Sequence, residues 1–128
     1  MTTMALAVAF TILIALAILQ VLLIAGRPLG SLGWGGRHRV LPTRLRVASG
    51  ISIVLYGLFA LLLLSRAGVL PGADASPVVV GTWLLFAFCA MSVVMNGLSR
   101  SRPERLVQTP ASVVLALAVL VIALSNAA

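Results

Sequence analysis

Four long stretches of this chain carry no charged side chain, and nothing else limits the fold as severely. They run over about residues 4–25, 47–64, 78–98 and 110–124. The first, MALAVAFTILIALAILQVLLIA, would extend about 33 Å as a helix, enough to cross a hydrocarbon core of about 30 Å. Between these stretches too little charge remains to solvate a globule. Charged residues make up 9% of the 128 and hydrophobic ones 62%, against about 25% and 45–50% in an average soluble domain. The sequence therefore reads as one membrane domain, residues 1–128, rather than a water-soluble fold.

Local signals punctuate the stretches. Gly68 is placed to end the second helix. Ser76 is expected to cap the third and Pro77 to occupy its first position, where a missing N–H costs nothing. Thr109 and Pro110 repeat the device for the fourth, the shortest. Short connections imply an up-down-up-down bundle of four spans. Residues 1–10 carry no side-chain charge, so the first stretch reads as a retained span rather than a signal peptide, which needs a positive n-region.

All nine basic residues are arginine. Five (Arg27, Arg37, Arg39, Arg44, Arg46) fall between the first and second spans and three (Arg100, Arg102, Arg105) between the third and fourth. Only Arg66 lies in the remaining connection, set against Asp74. Basic residues in short loops stay cytoplasmic. The expected topology places both arginine-rich connections inside and both termini outside, in a bacterial cytoplasmic (inner) membrane.

Topology accounts for arginine but not for the wording GRPLGSLGWGGRHRVLPTRLR at 26–46. Its glycines permit backbone conformations other residues resist, and Trp34 suits the headgroup layer. With Leu29, Leu32, Val40 and Leu41 present, the segment reads as a folded interfacial cap completed by residues 99–109. Gly33, Gly35 and Gly36 could supply a backbone nest for an anion, with Arg27, Arg37, His38, Arg39, Arg44, Arg46, Arg100, Arg102 and Arg105 around it. No GK[ST] follows the glycines, so this is not a P-loop. His38 reads as an interfacial hydrogen-bonding residue, since a metal site needs several ligands, and Cys89, the lone cysteine, as a small buried hydrophobe. Glu104 is expected to tie the two cytoplasmic connections together through neighbouring arginines. Two acids, one histidine and one thiol assemble no catalytic dyad or triad, so the expectation is a non-enzyme without cofactor or metal.

Within the spans no carboxylate or histidine appears, which argues against proton-driven transport and against the small multidrug exporter pattern. Uncharged polar residues instead fall at helical spacing: Ser49, Ser52 and Tyr56 on the second span, and Thr82, Cys89, Ser92 and Asn96 on the third. Such stripes hydrogen-bond helices together or line a narrow path. Gly50, Gly57 and Gly81, with the alanines of the first and fourth spans, read as close-contact surfaces.

PLGSLGWGGRHRVLPTRLRVASG before the second span and NGLSRSRPERLVQTP after the third resemble the loops of small four-span bacterial membrane proteins of actinobacterial type. The resemblance covers most of the chain and implies a four-span fold, but that group brings no assigned activity. The fluoride-channel signatures are absent. The functional expectation is an integral membrane protein whose arginine-rich cap binds anionic phospholipid headgroups or an anionic partner, with homo-oligomers possible and no nucleic-acid partner. The alternative is an oligomeric channel or facilitator lined by the Ser/Thr/Asn stripes.

Overall fold

The computed structural model describes residues 2–32, 38, 40–99 and 101–124. Four helices make up the architecture: α1 (Thr2–Ile24), α2 (Thr43–Arg66), α3 (Ser76–Gly97) and α4 (Arg102–Leu124), with a short 3-10 turn, Gly30–Leu32, between α1 and α2. Each helix is long and apolar enough to cross a membrane, and no strand occurs among the described residues. The chain is an all-helical integral membrane protein, its helices alternating in direction. In hydrocarbon a backbone must satisfy its own polar groups, and an uninterrupted apolar run does so as a helix.

Glycine stops two of the helices by the same geometry. Gly26 and Gly68 have φ of 85° and 87°. Their N–H groups reach back to the carbonyls of Leu23 and Ser65, and those of Arg27 and Val69 to Leu22 and Leu64. This is the paired bonding of a Schellman motif, whose left-handed position disfavours any residue with a Cβ.

Two starts differ from the sequence reading. For α3 the capping position falls on Ala75, in extended conformation with no side-chain cap bond, and Ser76 and Pro77 lie in the first turn. The larger correction concerns α4, which begins at Arg102, about two turns before the expected Thr109–Pro110 start. Ser101 Oγ accepts the N–H of Glu104 at 3.5 Å, the arrangement that a Ser-x-x-Glu pattern supplies at a helix entrance. Pro110 is consequently internal. It withholds a donor from the Leu106 carbonyl one turn back, and Thr109 Oγ1 is buried without a partner instead of capping anything. The supposed cap segments 26–46 and 99–109 are thus partly helical, residues 43–46 belonging to α2 and 102–109 to α4.

α4 is the most buried helix. It packs most extensively on α3, and α1 packs on both α2 and α4, whereas the α2–α3 seam is sparse. The half of the bundle away from the arginine-rich connections is filled by Ala5, Ala9, Leu63, Leu85, Val119 and Ile122, with Leu13, Cys89 and Leu115 nearer the middle. Gly81 meets its expected role there, since a Cβ would approach Leu62 Cδ1 to 3.2 Å. Gly57 does not: it is exposed and a Cβ would meet nothing within 4 Å.

Arg66 closes that end. Its side chain is 9% exposed. Nη1 donates to Ala73 O at 3.1 Å and lies 3.4 Å from Asp74 Oδ1, while Nη2 donates to Ala123 O at 3.1 Å. One guanidinium thereby ties the α2–α3 connection to the last turn of α4, whose carbonyls lack helical donors.

Candidate functional site

The other half of the bundle is not filled. A cavity of about 340 Å³ runs from the arginine-rich end towards the middle, lined by all four helices and by Leu32 of the 3-10 turn. The start of α4 creates its polar wall. Glu104, Gln108 and Ser112 recur at intervals of four, so they share one helical face, and Leu115 continues that face into the apolar region; all four line the cavity.

Asn96, in the last turn of α3, faces this wall. Its Nδ2 donates to Ser112 Oγ at 3.2 Å and to Gln108 O at 3.4 Å. Ser112 Oγ in turn donates to the carbonyls of Gln108 and Thr109, so side chains crowd the carbonyls next to Pro110. Gln108 Nε2 donates to Leu32 O at 2.8 Å, which pins the 3-10 turn to α4. On the opposite wall Gln20 of α1 donates from Nε2 to Tyr56 Oη of α2 at 3.4 Å. Gln20 Oε1 is buried with no hydrogen-bond partner.

Lower in the cavity the lining becomes apolar: Leu13, Leu16, Phe59, Phe88, Cys89, Met91 and Leu115. The rings of Phe59 and Phe88, 5.7 Å apart, bridge α2 and α3 there. Phe88, Met91 and Met95 are exposed, and they border the sparse α2–α3 seam with half-buried Ser52, Tyr56 and Phe59. The cavity therefore opens sideways, where lipid would lie, and is polar at one end and apolar at the other.

The structure brings five of the seven expected stripe residues, Ser52, Tyr56, Cys89, Ser92 and Asn96, to this cavity. Ser49 and Thr82 are fully buried elsewhere, and Thr82 Oγ1 donates back to Val78 O at 2.8 Å. Ser52 and Ser92 likewise donate to carbonyls one turn back, Ala48 and Phe88. Their hydroxyls bond within their own helices rather than between helices. Sequence reasoning missed Gln20, Gln108 and Ser112 as partners of this group. Gln20 is the sole amide in an otherwise apolar run and could have been flagged. Gln108 and Ser112 were hidden by the misplaced helix start.

Of the expected anion-binding residues, Arg27, Arg44, Arg102 and Arg105 are exposed, and Arg46 and His38 half-buried. Arg105 Nη1 donates to Ser99 O at 3.1 Å. Arg46 donates from Nε to Leu41 O at 3.0 Å, and its Nη2 would lie only 3.0 Å from a Cβ on Gly26. Leu41 is 2% exposed, so this part of the first connection lies against the helix ends. Arg37, Arg39, Arg100 and the nest residues Gly33, Gly35 and Gly36 fall outside the described residues. Glu104 is buried at the polar end of the cavity. Among the described residues no group of three His, Cys, Asp or Glu is placed to hold a metal ion. No family model, curated protein or solved structure matches the chain.

Proposed function

We propose that this integral membrane protein is a non-enzymatic binder of anionic phospholipid headgroups, which it meets at its arginine-rich end. One observation carries the reading: Arg27, Arg44, Arg102 and Arg105 are exposed at a single end of the bundle, while Arg66 at the other end is buried against protein acceptors. Each exposed guanidinium near an anionic surface contributes about 1 kcal/mol, and salt weakens it. That end faces the cytoplasmic side of a bacterial inner membrane, by the positive-inside rule. The channel reading has less support, because the polar lining stops midway and Leu63, Leu85, Val119 and Ile122 fill the bundle beyond it.

The test is lipid binding by purified, delipidated protein titrated with short-chain phosphatidylglycerol or phosphatidylcholine at about 50 and about 500 mM salt, where screening lengths differ severalfold. Phosphatidylglycerol should bind more tightly at low salt and lose that advantage at high salt. Changing Arg37, Arg39 and Arg44 together to lysine keeps the charge but removes the planar fork, and should weaken binding. Gly35→Val with Gly36→Val should do the same if a backbone nest contributes. Equal binding of both lipids at low salt overturns the proposal.

A further inference from the structure

We infer that the intramembrane cavity is a separate binding site for a single-chain, uncharged amphiphile with a hydroxyl-bearing head, of the monoacylglycerol or long-chain alcohol type, entering between α2 and α3. Three features carry this. The lining is graded, with Glu104, Gln108, Asn96, Ser112 and Gln20 towards the arginine-rich end and Leu13, Phe59, Phe88, Cys89 and Leu115 towards the middle. A molecule with one polar and one apolar end matches that gradient. The volume, about 340 Å³, lies at the small end of ligand sites. It accommodates a compact head and the beginning of one chain, the remainder passing Phe88 and Met91 into lipid.

The second feature is the hydrogen-bonding capacity left on the wall. Gln20 Nε2 is spent on Tyr56 Oη, but Gln20 Oε1 is buried without a donor, and no described acceptor takes the Tyr56 phenolic hydrogen. A hydroxyl accepts from Tyr56 and donates to Gln20 at the same time. An ester or ether oxygen can only accept. The third feature is charge. No guanidinium is among the described lining residues, and the charged residue there is Glu104. Among the described lining residues a phosphate head has no cation to meet, and the exposed Arg27, Arg44, Arg102 and Arg105 are not among them, so this site is distinct from headgroup binding at those arginines and does not rest on it.

The probe is a monoacylglycerol carrying a photoactivatable diazirine in its chain, incubated with the intact protein in lipid nanodiscs. Labelled residues are mapped by mass spectrometry. Labels should concentrate on Leu16, Phe88 and Met91, and unlabelled monoacylglycerol should compete while the methyl ester of the same fatty acid should not. Loss of one buried hydrogen bond should reduce labelling up to about tenfold in Gln20→Leu, and Tyr56→Phe should act in the same direction. The two variants act from different helices, so a folding defect in one leaves the other informative. Arg44→Gln should leave labelling unchanged, which separates this site from the headgroup reading. Labels spread over the outward residues Val54, Leu84 and Val114, equal competition by the methyl ester, or unchanged labelling in both variants would overturn the site.

Discussion

The two ends of the bundle use the same side chain in opposite ways. At one end Arg66 is alone, buried, and satisfied by Ala73 O and Ala123 O. At the other lie Arg27, Arg44, Arg46, Arg102 and Arg105, all but Arg46 exposed, and of these five only Arg46 and Arg105 bond to carbonyls of the chain. The difference lies in what surrounds each guanidinium. A buried guanidinium must be matched by acceptors or it destabilises the fold, so Arg66 is part of the structure. An exposed one is solvated and contributes little to stability, so Arg27, Arg44 and Arg102 remain available to something outside the chain.

Several measurements sharpen or break this contrast. The largest effect concerns orientation, which should be all-or-none. In a Cys89→Ala background, a membrane-impermeant thiol reagent applied to intact cells should label Ala75→Cys at the Arg66 end. Thr43→Cys, at the arginine-rich end, should stay unmodified until the membrane is opened. Labelling of Thr43→Cys in intact cells would reverse the assignment of sides.

Next comes stability. Arg66→Met removes two charge-assisted bonds to backbone carbonyls, and should cost about 2–3 kcal/mol in detergent unfolding. Arg44→Met, exposed at the other end, should cost less than about 0.5 kcal/mol. Similar losses would dissolve the distinction between a structural arginine and available ones. Asn96→Leu should cost about 1 kcal/mol, because it breaks the link from α3 to Ser112 and Gln108. Thr11→Leu, whose hydroxyl bonds only to Ala7 O on its own exposed face, should be nearly silent. The smallest effect is expected for Asp74→Asn. Asp74 is 87% exposed, so most of the hold on Arg66 comes from the two backbone carbonyls, and the melting temperature should barely move.

The spans were legible because apolar length is a strong signal: any run that long and that uncharged is committed to the membrane. The start of α4 was not. Residues 102–109 contain three charges and begin with Arg-Pro, a composition that reads as a loop, and a second proline at 110 offered a plausible later start. What decides the matter is the Ser101–Glu104 entrance, a local Ser-x-x-Glu signal overshadowed by the later Thr-Pro pair, and the bond from Gln108 to Leu32, which no local window reveals. The candidate site was half legible for the same reason. Ser52, Tyr56, Ser92 and Asn96 were found by helical spacing inside spans, while Glu104, Gln108 and Ser112 join them only once α4 is extended by two turns.

The Phe59–Phe88 contact and the packed residues beyond it make the cavity a cul-de-sac. For a single copy of the chain this has a kinetic meaning. The amphiphile proposed above would enter and leave along the α2–α3 seam, so its residence time would be set by the opening of that seam. It also has a directional meaning: the packed half of the bundle bars a path through it, so the proposed amphiphile would exchange with the leaflet on the arginine-rich side.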